Sequence, residues 1–237
     1  MEPLSNLDVV YFVKESTTNE ELIYSIRSVV ANFPHRKIWI YGGKPSNLSD
    51  KNFIKIKQSG DTKWDRVRGM FTDVCLNKEI TDDFYLFNDD FFVINPVVEM
   101  PVYHRSSLAE HIITIEQKYK DVPTAYTKQL RNCYRRLTGL GYPTLSYELH
   151  VPFLFNKGKL LQIMGAFPDV HCSRTLYGNF FELDSVQHDD VKVYDYSKTF
   201  DKGFNFLSTE DTSWGPNIAG VKTFIKDRFP KKSEYEL

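Results

Sequence analysis

Cysteine is scarce in this chain: Cys75, Cys133 and Cys172 are the only three, odd in number and far apart. Their spacing excludes a disulfide framework and offers no zinc-binding pairs, so they are expected to be ordinary buried thiols. An excess of either charge is missing too. With 30 Lys and Arg against 31 Asp and Glu, the formal charge is −1. No global field therefore draws the chain to nucleic acid or an anionic membrane, and any polyanion contact must be a local patch. No apolar run approaches the ~18 residues of a membrane span, and no basic stretch followed by a hydrophobic segment opens the chain, so a cytoplasmic protein is expected. Internal repeats and low-complexity stretches are lacking as well.

What is present is apolar and aromatic: 41% hydrophobic and 15% aromatic residues over 237 positions, enough for the core of one large α/β domain. Residues 8–13, Asp-Val-Val-Tyr-Phe-Val, read as a buried strand. A helix follows, with Asn19 able to cap it and Leu22, Ile26, Val29, Val30 and Phe33 at helical spacing until Pro34. Residues 37–41 give a second strand closed by Gly42 and Gly43. Strand, helix and strand in this order form a parallel βαβ unit and begin a doubly wound sheet. Further strands are expected at 52–57 and 84–87, with a helix from Asp61 to Asn77 between them. Helices at 105–120 and 124–139 make a helical insertion, spanning about 104–141. Short strands around 151–155 and 191–196 come next among loops, and the polar tail from Lys231 to Leu237 is expected to be loosely held.

The strand Phe84-Tyr-Leu-Phe87 runs directly into Asn88-Asp89-Asp90. In open α/β sheets ligands bind beyond the carboxyl ends of strands, where the strand order reverses. Two adjacent carboxylates there need a partner, because unpaired buried charge is very costly. Their hard oxygens suit magnesium or manganese, which would bridge to a diphosphate. Asn-Asp-Asp is equally good turn chemistry, and that alternative stays open.

The run from Phe84 to Phe92 resembles the acidic motif of the Stealth family of capsule-type hexose-1-phosphate transferases. Asp8-Val-Val-Tyr11 and Asn19-Glu-Glu-Leu-Ile-Tyr-Ser-Ile-Arg-Ser28 are similar to that family's first two blocks, and His150-Val-Pro152 to its His-x-Pro block. Length and later segments look more like phage-encoded, TET-associated-type glycosyltransferases thought to glucosylate hydroxymethylated DNA bases. The matching segments are Tyr147-Glu-Leu-His-Val-Pro152, Arg174-Thr-Leu-Tyr-Gly-Asn179, Asp190-Val-Lys192, Phe206-Leu-Ser-Thr209 and Phe229-Pro with Tyr235-Glu236. The resemblance implies one GT-A-like, Rossmann-like domain over 1–237, with a mostly parallel central sheet flanked by helices. It implies a nucleotide-sugar donor, a UDP-sugar first, with Mn2+ or Mg2+, and for a phage protein the host cytoplasm.

The candidate site follows from both lines. Asp89 and Asp90 are expected to hold metal, with Asp90 also catalytic. His150 is the further metal ligand that the resemblance suggests, and Glu148 is a candidate general base for an acceptor hydroxyl. Asp8, Arg66, Asn88, Arg174, Asn179 and Lys192 are candidate donor-binding residues, Arg and Lys because they can stabilise charge on a leaving diphosphate. Lys128, Arg131 and Arg135 fall on one helical face, with only Asp121 opposing the surrounding basic cluster. That stripe can follow a DNA backbone or simply be a solvated face. Three functions therefore compete: a metal-dependent glycosyltransferase acting on a hydroxyl acceptor such as a 5-hydroxymethylated pyrimidine in DNA, a hexose-1-phosphate transferase acting on a polysaccharide, and a non-catalytic sugar- or nucleic-acid-binding module.

Overall fold

A computed structural model describes residues 2–16, 18–56, 62–120 and 122–237. The chain separates into two compact units, Met1–Met100 with His150–Phe155 and Val191–Leu237, and Pro101–Leu149 with Asn156–Asp190.

The first unit holds the sheet. Strands β1 (Asp8–Val13), β2 (Ile38–Gly42), β3 (Phe53–Lys55), β4 (Asp83–Phe87) and β7 (Phe153–Asn156) lie in the order β3-β2-β1-β4-β7. The pairings β1–β2, β1–β4 and β2–β3 are all parallel. Helix α1 (Glu20–Asn32) carries the chain from β1 to β2, and α2 (Lys63–Leu76) carries it from β3 back across to β4. The two crossovers run in opposite directions. Right-handed connections therefore place the two helices on opposite faces.

Side-chain alternation along β1 agrees with that placement. The Tyr11 hydroxyl bonds Ser25 of α1, whereas the neighbouring Phe12 packs edge-on to Phe71 of α2 at 4.9 Å. The chain is thus an α/β protein with a mainly parallel central sheet flanked by helices. The order reverses between β1 and β4, because the path moves outward from β1 to β3 and then restarts at β4.

Local signals explain the helix starts. Asn19 accepts from Leu22 N at 2.9 Å, as expected of a cap. The inward face of α1 is rotated slightly from the expected one, since Ile23 is buried and Val30 exposed. At α2 the cap is Thr62, closed by a capping box with Asp65; the expected start at Asp61 lies outside the described residues.

Beyond β4 the first unit adds a three-stranded sheet, in the order β5 (Phe91–Val93), β10 (Phe206–Thr209) and β9 (Lys192–Val193). Its core includes Phe92, Ile94, Leu207 and Trp214, together with Val221 and Ile225 of α7 (Val221–Arg228). The Trp214 ring stacks on Phe92 at 5.3 Å.

The tail is held, contrary to expectation. Tyr235 is buried with its hydroxyl accepting from Ile38 N, and Arg27 grips Glu236 with two hydrogen bonds of 2.8 and 2.7 Å. A polar composition concealed one aromatic anchor and one half-buried ion pair.

The second unit carries α3 (Leu108–Lys118), α4 (Ala125–Gly139), α5 (Lys157–Ala166), α6 (Ser173–Phe180) and the paired strands β6 (Tyr103–His104) and β8 (Val186–Gln187). The inserted helical part is thus wider than the 104–141 read from the sequence. Helices α5 and α6 occupy stretches expected to be loops. Both contain glycine, at Gly158, Gly165 and Gly178, which weakens the local helical signal. At Gly178 a Cβ would come within 2.5 Å of the Tyr147 ring, so close packing requires the glycine. No described helix in either unit is long and apolar enough to cross a membrane.

Candidate active site at the switch point

The turn Asn88-Asp89-Asp90 leaves β4 at the carboxyl edge, beside the segment that leaves β1. It is a turn, and it is also where carboxylates gather, so the two expectations for these residues are compatible. Phe91 N donates to Asn88 O at 3.2 Å to close the turn, and the Asn88 side chain is exposed.

The departing strand β5 is fixed along α1 by buried polar groups. Ser25 Oγ donates to Phe91 O, Val93 N donates to Ser28 Oγ at 2.9 Å, and Asn32 Nδ2 donates to Val93 O at 2.7 Å. On the other side, Gly43 lets the chain following β2 pass against the segment following β1. A Cβ at Gly43 would lie 2.5 Å from Glu15 Cα.

Each aspartate has its own partners. Asn19 Nδ2 donates to Asp89 Oδ2 at 2.7 Å. Asp90 Oδ2 accepts from Ser208 Oγ at 2.9 Å and from Lys192 Nζ at 3.2 Å, and its carbonyl accepts from Thr209 N at 3.2 Å. Burial, and then the charge of Asp90, push the Asp89 carboxyl above its ordinary range, with the Asn19 hydrogen bond opposing them.

Glu21, in the first turn of α1, accepts a short hydrogen bond from Thr209 Oγ1. Burial first, and then Asp90, Asp89 and Asp211, raise its carboxyl to about 7 despite that bond. A folded-state value above the unfolded one means stability that is fully present below about 4.5 and is lost as pH rises toward about 7. The variant Glu21→Gln should therefore melt above the parent at pH 8. The gain is on the order of 1–2 kcal/mol after allowing for solvent screening. It should vanish near pH 4.5. Calorimetric melts across this pH range, without added metal, check it; a parallel pH profile for both proteins would count against it.

Several expected site residues lie elsewhere. Asp8 is at the amino end of β1, opposite the acidic turn. Its fully buried carboxylate is held by Arg36 Nε and Nη2 at 2.8 and 2.6 Å, Trp39 Nε1 at 3.0 Å and Thr81 N at 3.1 Å. That makes Asp8 a structural residue and corrects its expected donor-binding role. Arg66 is half-buried in the first turn of α2, the turn nearest the carboxyl edge by topology. His150 is half-buried with its ring edge-on to Phe91 at 6.2 Å.

In the second unit, Glu148 Oε1 accepts from Thr175 N at 3.3 Å, serving the open amino end of α6, and Arg174 Nη1 donates to Leu149 O at 2.6 Å. Asn179 is buried and its amide is fully occupied by Leu145 N, Leu145 O and Thr175 O. It clamps the chain at Leu145 onto α6, which corrects its expected donor-binding role.

The basic stripe is less bare than its sequence. Arg131 makes a two-pronged pair with Glu116 at 2.7 and 2.8 Å, and Arg136 meets Asp169. Asp121, the opposing charge visible locally, lies outside the described residues.

Asp89 and Asp90 carry hard carboxylate oxygens of the kind that Mg2+ or Mn2+ take. Among the described residues no three His, Cys, Asp or Glu side chains gather as a metal site. Sequence reasoning gave Asn19 only a capping role and overlooked Glu21, Ser208 and Thr209. The one signal for the last two was the segment Phe206-Leu-Ser-Thr209, whose hydroxyls carry no metal-ligand signature.

No family model and no curated protein matches the chain. Among solved structures it is similar to the apo-form glycosyltransferase GlyE of Streptococcus pneumoniae, at 11% identity and a TM-score of 0.30. That alignment covers 55% of this chain and 43% of the GlyE chain, and at that TM-score the likeness carries no functional inference.

Proposed function

We propose that the chain is a GT-A-like, metal-dependent glycosyltransferase that moves a sugar from a nucleotide-sugar donor to an acceptor hydroxyl. The observation that carries this reading is the meeting of Asp89, Asp90 and Lys192 at the switch point between β1 and β4, where open α/β sheets bind nucleotides. Asp89 and Asp90 would hold Mn2+ or Mg2+, which supplies charge neutralisation to a departing diphosphate.

The remaining steps belong to the chain's own groups. Lys192, now paired with Asp90, is a cation that can turn to phosphate oxygens as negative charge grows on the leaving group. Ser208 holds the Asp90 carboxylate in place while that happens. Glu21 can exchange a proton near neutral pH beside the pair.

The acceptor is the finer part of the proposal. A 5-hydroxymethylated pyrimidine in DNA is the first to test, although the Arg131–Glu116 pair removes part of the positive stripe that would follow the backbone. Incubation with a panel of nucleotide sugars, Mn2+ and hydroxymethylated DNA, followed by mass analysis, should show a nucleoside diphosphate and a hexosylated base. A nucleoside monophosphate and a phosphohexosyl product would instead identify a phosphotransferase. Binding of donor without its consumption would leave a binding module.

A further inference from the structure

We propose that Asn19 is a positioning residue for Asp89, orienting that carboxylate toward the metal; this rests on the metal-dependent reading above. The Asn19 amide has two ends with separate partners. Its Oδ1 accepts from Leu22 N at 2.9 Å and caps α1, while its Nδ2 donates to Asp89 Oδ2 at 2.7 Å. Capping needs only an acceptor, and Ser, Thr or Asp would supply one about as well. The donor end is surplus to the cap and reaches a residue 70 positions away in the chain.

The bond joins the two segments that flank the switch point, one following β1 and the other following β4. It ties Oδ2 of Asp89 to the cap of α1 and so restricts the rotation of the carboxylate. Asp90 has a matching arrangement, with Ser208 and Lys192 on its Oδ2. A hydrogen bond behind a metal-binding carboxylate orients it, and losing such a partner costs about 10- to 100-fold in metal affinity.

The test uses Asn19→Ser and Asn19→Thr, which keep a capping acceptor and remove the donor. Mn2+ alone is titrated against each purified chain and against the parent, with the free-ion electron paramagnetic resonance signal as readout and thermal melts as a control. Both variants should bind Mn2+ about 10- to 100-fold more weakly while melting within about 2 °C of the parent. Parent-like Mn2+ affinity in either well-folded variant overturns the positioning role and leaves the metal site standing. Loss of affinity that comes with a large fall in melting temperature in both variants overturns it too, because Asn19 would then be only a cap. Absence of Mn2+ binding by the parent overturns the inference and the metal-dependent reading together.

Discussion

Replacing Asp89 with Asn should give a protein that melts higher than the parent and transfers no sugar. Burial and the neighbouring Asp90 hold the Asp89 carboxyl above its ordinary range, so its ionised form is a burden on the folded state. The sign follows: the folded value lies above the unfolded one, so this stability is complete below the unfolded value and disappears as pH rises through the folded one. Asparagine imitates the protonated side chain, and its Oδ can still accept from Asn19. The melting temperature should rise at pH 7.5, and the gain should fade as the pH is lowered into the ordinary carboxylate range. Transfer should fall by about three orders of magnitude or more, since a charge-stabilising ligand is lost from the site. Calorimetry and mass analysis of products check the two halves. A lower melting point with retained turnover would remove Asp89 from the site.

Asp8 should behave in the opposite way. Its carboxylate is fully buried and satisfied by Arg36, Trp39 and Thr81, so Asp8→Ala strips the Arg36 guanidinium and the Trp39 and Thr81 N–H groups of their common acceptor. Leaving a buried donor such as the Trp39 Nε1–H group without its acceptor costs about 1–3 kcal/mol for each such group, a large share of the stability of an ordinary domain. The melting temperature should drop by roughly 10 °C, while turnover per folded molecule stays unchanged, because the residue sits at the end of β1 opposite the acidic turn. Intact stability with lost turnover would return Asp8 to the donor site. The sheet separates these two acidic residues, placing Asp89 at the carboxyl end of β4 and Asp8 in a buried network at the amino end of β1.

That separation shows where sequence reading stops. Adjacent periodic residues announced β1, α1, β2 and β4, and Asn19 announced its cap, because hydrophobic period and capping depend on neighbours three or four positions away. The position of Asn88-Asp89-Asp90 after an apolar strand was legible for the same reason. The second half of the chain was less so. Helices α5 and α6, interrupted by glycine, looked like loops, and their helical state depends on packing within their unit. The tail looked free because Tyr235 and Glu236 find their partners, Ile38 and Arg27, about 200 positions earlier.

The sequence by itself determined an α/β chain with a βαβ start, the acidic turn at a strand's carboxyl end, and the lack of any global charge bias. Tertiary structure alone decided which polar groups share that turn. Asn19, Lys192 and Ser208 reach the two aspartates across 70, 102 and 118 positions. Local propensity carries no information over such separations; the pairing of β1 with β4 brings up Asn19, and the β5-β10-β9 sheet brings up Ser208 and Lys192. Tertiary packing also paired Asp8 with Arg36 and Arg131 with Glu116, over the shorter separations of 28 and 15 positions.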